Sequence, residues 1–208
     1  PPFDDIRVRK AMAHLLDRER MNRTLMYSQY FLHRSYYEDL YSPAEPCTNP
    51  SFTFSPERAE TLLKEAGWAA NPETGVLEKD GKPFAFTFLS RDPSSDKFLQ
   101  IYNEALQNAG IQLSIERKDW AAWAKSMDTF DFEMTWAAWG AGLFKNPESM
   151  WHSAEANRPS GNNITGFEHE IVDALIEKQK TEFDVSRRHA DCRKIDAIIA
   201  QSCHYALL

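Results

Sequence analysis

Apolar residues recur at three- and four-residue intervals through the first stretch of the chain. Val8, Ala11, Met12, Leu15 and Leu16 share one face of a helix that Asp4 or Asp5 can cap. Arg7, Arg9, Lys10 and Arg18 lie off that face, where water or acidic neighbours would receive them. Asp17 is placed to cap a second helix through Met21, Leu25 and Met26. From Tyr27 to Tyr41 the pattern turns aromatic and irregular, and Pro43, Pro46 and Pro50 with Asn49 mark a loop that no regular helix can cross. The next helix signals both its ends: Ser55 as N-cap, Pro56 in the first helical position, Leu62, Leu63 and Ala66 on the inner face, and Gly67 as the stop.

Asn71 to Lys82 is polar and reads as a hairpin or surface loop, after which the period changes to two. Phe84, Phe86 and Phe88 alternate with Ala85 and Thr87 in a strand that runs to Leu89. Phe98, Ile101, Tyr102, Ala105 and Leu106 then define a helix within Ser95 to Ala109, stopped by Gly110. Ile111, Leu113 and Ile115 make a second strand, Asp119 caps a short helix carrying Trp120, Trp123 and Met127, and Phe132, Met134 and Trp136 make a third strand. This alternation predicts an α/β fold with a partly parallel sheet flanked by helices. Two helices follow, from about Glu168 to Thr181 with Ile171, Val172, Leu175 and Ile176 inward, and from about Val185 to Ser202 with Ile195, Ile198 and Ile199 inward. No repeat, low-complexity tract or flexible linker interrupts the series, so residues 1–208 read as a single lobe.

Composition narrows the function. A hydrophobic content of 42% in 208 residues is ample for a packed core. The formal net charge of -7 argues against a chain whose main task is holding nucleic acid or an anionic membrane. Apolar runs such as IDAIIAQ are far shorter than the ~20 residues a membrane span needs. Pro1 opens directly on a polar segment without a signal-peptide pattern, so no targeting signal gives the compartment. Cys47, Cys192 and Cys203 show no CxxC spacing. On a continuous helix Cys192 and Cys203 would be separated by a rise of ~16 Å, beyond disulfide reach. Buried free thiols are therefore favoured, and a bridge from Cys47 stays open.

Several segments carry a family resemblance. PFDDIRVRKAMAHLLDRERM (Pro2 to Met21) and SPERAETLLKEAGW (Ser55 to Trp68) resemble the extracytoplasmic solute-binding proteins of the peptide, nickel and oligopeptide ABC importers, family 5. GIQLSIERKDWAAW (Gly110 to Trp123), FDFEMTWAAW (Phe130 to Trp139) and NITGFEHEIVDALIE (Asn163 to Glu177) follow in that family's order. NRTLMYSQYFLHRSYYEDL (Asn22 to Leu40) is most similar to the Yej-type oligopeptide-binding subgroup. The resemblance implies a lobe of the type II periplasmic-binding-protein fold, namely the C-terminal, ligand-binding lobe of a two-lobe protein. Its missing N-terminal lobe would precede Pro1, and the chain would continue past the terminal HYALL. It further implies a periplasmic or extracytoplasmic protein that captures oligopeptides or similar solutes for an ABC permease in the membrane. Neither a cofactor nor a metal is called for, and no nucleic acid partner.

Candidate ligand-binding residues follow. Trp136, Trp139 and the Gly140-Ala141-Gly142 turn sit at the carboxyl end of the third strand, where open α/β sheets place ligands, although Trp136 also continues the apolar face of Phe132 and Met134. By the resemblance, an acid shortly after the matching tryptophan would hold a peptide's amino terminus. This chain has no Asp from there to the end of the loop, which favours a capped, longer or non-peptide ligand. Arg34, Ser35, Tyr36 and Tyr37 form a second patch, in which an arginine beside aromatics can hold a carboxylate or carbonyl, or simply pack against the absent lobe. Asn162 and Asn163 offer side-chain amides from a turn sequence, and Asn163 also opens a glycosylation-like NIT. The alternatives are a metal-dependent hydrolase, with His169 and Asp173 four apart beside Glu170 and Glu177, and a protein-interaction or sensor domain. The hydrolase lacks HExxH, GxSxG and P-loop patterns.

Overall fold

In the computed structural model, which describes residues 2–140, 142 and 144–208, the first helices begin where side chains can receive their free amides. Helix α1 (Ile6–Leu15) starts at Asp5, which accepts from the Arg7 amide, and α2 (Arg18–Leu25) starts at Asp17, which accepts from the Arg20 amide. Ser55 accepts from Arg58 at the head of α3 (Pro56–Glu65). The chain leaves α3 through Gly67 at φ 89°, a conformation that suits a residue without Cβ.

The segment read as a hairpin is a small antiparallel sheet of β1 (Ala69–Ala70), β2 (Leu77–Lys79) and β3 (Lys82–Pro83). The main sheet is parallel. Its central strand β4 (Ala85–Ser90) pairs along its length with β5 (Gln112–Arg117), from Ala85 opposite Gln112 to Ser90 opposite Arg117. On its other side β4 pairs with β6 (Met134–Thr135), Phe88 opposite Met134 and Leu89 opposite Thr135. Helices α4 (Asp96–Asn108) and α5 (Trp120–Asp128) are the crossovers that make the parallel order possible. Val8, Leu15, Leu63, Phe84, Phe86 and Leu106 anchor a buried cluster of α1, α3, α4 and the sheet. A second cluster gathers Trp151 of α6 (Glu148–Trp151), Phe167, Val172 and Ile176 of α7 (Glu170–Thr181), and Ile195 and Ile199 of α8 (Val185–Ser202).

Five expectations are corrected. The third strand is two residues long, not five, and just before it the Glu133 carboxylate takes the Thr87 amide at 2.8 Å, where a ladder bond would lie. Ile115 is exposed because it lies toward the carboxyl end of β5, past Ile111 and Leu113 of the same face that meet the buried cluster. Ile171 is exposed because α7 buries the stripe of Val172, Ile176 and Gln179, which turns Ile171 outward. Arg9 does not face water: it donates to the carbonyls of Ser202 at 3.0 Å and Phe3 at 2.8 Å. Arg18 donates to His33 and Leu207. All three cysteines are free, so Cys47 forms no bridge. Burial pushes the Cys203 thiol up to about 12.

Candidate functional site

Parallel strands bring their carboxyl ends to one edge, and the amide of Lys118, just past β5, reaches the carbonyl of Ser90 at the end of β4 at 3.0 Å. Trp136 follows β6 directly at this edge. Its ring meets Phe88 edge-on at 5.3 Å, which fixes its plane, while its indole N–H is buried without a hydrogen-bond partner among the described residues. A buried donor of this kind normally has an acceptor. Trp139 is 40% exposed and adjoins Tyr205, whose phenol is pushed upward by burial. Gly140 stands in open space. The Gly142 carbonyl accepts from the buried Lys145 ammonium, which also pairs with Asp39 at 2.6 Å. Ala141, the middle of the turn expected here, lies outside the described residues.

The second candidate patch meets the first through Tyr205. Tyr36 lies 6.0 Å from Tyr205 and 4.9 Å from Trp151, both edge-on, and burial holds its phenol well above the ordinary value. Tyr37 is likewise shifted upward by burial. The Arg34 guanidinium is occupied within the fold, donating to the Asn49 carbonyl at 2.7 Å. Arg34, Tyr36, Arg18, His33, Phe52 and Tyr205 line a cavity of about 30 Å³, room for water and not for a solute.

The organiser of this patch escaped the sequence reading. Asp196 of α8 is fully buried and accepts from the hydroxyls of Ser35 and Tyr41 and the Asn49 amide, each at 2.7 Å, and from the Tyr36 backbone at 2.9 Å. A fully satisfied buried carboxylate rigidifies what it gathers, here the loop from Ser35 to Asn49. A wider cavity of about 320 Å³ lies between Tyr41, Glu45, Asn49, Arg193 and Lys194. Its cations are already paired, Arg193 with Glu45 at 2.8 Å and Lys194 with Asp191 at 3.0 Å.

Asn162 is exposed and stays apart from these aromatics in the hydrogen-bond pattern. Asn163 is buried, donating to the Phe167 and His152 carbonyls and accepting from the Phe167 amide, so its side chain staples its own turn and is inaccessible to a glycan. His169 is the extended residue before α7 and not on the helix face, and Asp173 takes the Ser153 amide at 2.9 Å. The pair imagined for a hydrolase is therefore not formed.

A further feature of the carboxyl edge was missed. Asp119 caps α5 through the Ala122 amide at 2.9 Å, and this sets Trp120 and Trp123 side by side, stacked at 5.4 Å. Trp120 is 63% exposed, and Arg91, the residue after β4, lies over both rings. The available signal was two tryptophans three apart directly after a helix-capping aspartate.

An open parallel sheet with indoles left uncovered at its carboxyl edge is the architecture of a solute-binding α/β lobe. The chain belongs to the bacterial extracellular solute-binding proteins, family 5, whose middle-region model matches residues 1–161. It is 31% identical to the uncharacterized protein y4wM of Sinorhizobium fredii, over 85% of this chain and 32% of that protein. It is 25% identical to the oligopeptide-binding protein AppA of Bacillus subtilis, over 99% of this chain and 38% of AppA. The match to the probable peptide-binding protein YejA of Agrobacterium fabrum is 25% over 95% of this chain and 38% of that protein. The solved structure of AppA in complex with a nonapeptide superposes with a TM-score of 0.90 at 24% identity, covering 100% of this chain and 42% of AppA. The chain thus spans well under half the length of these relatives. Among the described residues no helix is long and apolar enough to cross a membrane.

Proposed function

We propose that this chain is the ligand-capturing lobe of an extracytoplasmic solute-binding protein that delivers oligopeptides or related solutes to an ABC permease, without catalysis of its own. The observation that carries this reading is the pair of exposed indoles, Trp139 and Trp120, at the carboxyl edge of a parallel sheet. Flat indole faces give a peptide contact area without demanding one side-chain chemistry. A second lobe closing over this edge would remove water from those faces. The names of AppA and YejA support peptides as the solute class.

The test is native mass spectrometry of the full-length mature protein, followed by release and sequencing of co-purified ligand. A ladder of peptide masses is expected, and replacing Trp139 with Ala in the same protein should deplete it. A discrete non-peptide mass would move the solute class while leaving capture in place. Unchanged affinity in the Trp139→Ala protein would remove that residue from the site.

A further inference from the structure

We propose that Lys145 is a positioning residue for solute capture: paired with Asp39, its buried ammonium holds the loop that carries Trp139 at the carboxyl edge. The inference rests on reading that edge as the solute site and adds what keeps the site in place. Trp139 lies between β6, which ends at Thr135, and α6, which begins at Glu148. Among the described residues neither Trp139 nor Gly140 makes a backbone hydrogen bond, so no ladder or turn fixes the chain there. The next described hold on the backbone is made by a side chain. The Lys145 ammonium donates to the Gly142 carbonyl at 2.5 Å, three residues beyond Trp139.

That ammonium is almost fully enclosed. The Lys145 side chain is 5% exposed, and its Nζ lies 2.6 Å from the carboxylate of Asp39, a side chain that is 59% exposed. A buried cation without partners is strongly disfavoured, so Lys145 must stay where Asp39 and the Gly142 carbonyl can both reach it. Asp39 is itself anchored. It sits in the single turn Glu38–Leu40, whose Leu40 carbonyl accepts from Arg193 of α8 at 3.1 Å, and the hydroxyl of the following Tyr41 donates to Asp196. The order that Asp196 gives the loop from Ser35 to Asn49 therefore passes through one ion pair to the loop bearing Trp139. A second contact fixes the same point. Phe144, next to Lys145, lies under the Arg188 guanidinium of α8 at 4.3 Å from its ring centre. The stretch that carries Trp139 is thus tied at one end to the sheet through β6, and at the other to α8 and the Asp196-ordered loop through Phe144 and Lys145.

The experiment uses the full-length protein labelled with 5-fluorotryptophan and compares wild type with Asp39→Asn, Asp39→Glu and Lys145→Met. Fluorine NMR reads each indole separately, with Trp139 assigned by its loss in Trp139→Phe. Binding of a synthetic oligopeptide pool is measured by titration calorimetry, and the thermal midpoint reports folding. In Asp39→Asn and Lys145→Met the Trp139 resonance should move toward that of free 5-fluorotryptophan, while those of the buried Trp68 and Trp151 stay in place. Peptide binding should weaken by about tenfold in both. Lys145→Met guards against misfolding, since it leaves no buried cation without a partner. Asp39→Glu keeps the carboxylate and should bind as wild type does. A Trp139 resonance unmoved in both uncharged variants overturns the positioning role, as does unchanged binding once it has moved. Movement of Trp68 and Trp151 as well, with a lowered thermal midpoint, marks the pair as merely structural and also overturns it. Binding of no pool by wild type overturns the oligopeptide reading, and the Trp139 resonance then decides by itself whether Lys145 holds the loop.

Discussion

At the amino end of the parallel sheet, Phe84 packs on Trp68 at 4.5 Å and Phe86 meets Phe3 edge-on at 5.2 Å, all inside the larger buried cluster. At the carboxyl end the same kind of side chain is left open. Trp120 and Trp139 are exposed, and Trp136 has a buried N–H without a described partner. The strands carry aromatics at both ends, but only the amino end has α1, α3 and α4 to cover them. Burial of aromatic area stabilises the fold at one end, and at the other the area remains available for a second body. The proposed capture role needs this asymmetry, because a surface that is already covered has nothing left to gain from a ligand.

The comparison can be broken most forcefully at its buried end. Phe84→Ala should destabilise the lobe by about 3–5 kcal/mol, from lost transfer energy and the cavity left behind, as a fall in the urea midpoint would show. A gentler handle lies next to the carboxyl edge. His204 packs edge-on to Phe167 and adjoins the Tyr205 that supports Trp139. Burial, with a smaller contribution from Arg9, lowers its pKa from 6.5 to about 4. The unfolded chain therefore takes up this proton before the folded chain does. Stability from this group is complete above pH 6.5 and should decline as pH falls toward 4, by about 3 kcal/mol. Urea titrations across that window should show the decline in wild type and flatten it in His204→Gln. The smallest stability change is expected at the open end. Trp120→Ala should move stability by no more than about 0.5 kcal/mol, yet weaken solute binding by about tenfold. A large loss of stability in that variant would place Trp120 in the core and erase the contrast.

Local chemistry made much of this fold legible in advance. The caps at Asp5, Asp17, Ser55 and Asp119 are formed, because an N-cap needs only a side-chain oxygen and an amide two or three residues on. The bounds of α8 and the parallel strand order also follow from short-range periodicity. The candidate site was legible in part. Tryptophans after the third strand fall at the carboxyl edge, and the loops bearing Trp139 and Tyr36 meet at Tyr205. What could not be foreseen was which arginine is engaged. Arg34 beside two tyrosines was read as able to hold a carboxylate and is tied to Asn49, whereas Arg91, of which the sequence reading said nothing, lies against two indoles.

The sequence by itself determined where the capped helices begin, and the order of elements that makes the sheet parallel, because these depend on residues within a turn or two of one another. Tertiary structure alone decided the fate of the polar and aromatic groups. Asp196 gathers Ser35, Tyr36, Tyr41 and Asn49 from positions 147 to 161 residues away. Arg9 and Arg18 turn inward onto carbonyls near the far end of the chain. Whether an indole is core or contact surface depends on what packs across from it, which periodicity along the chain does not encode.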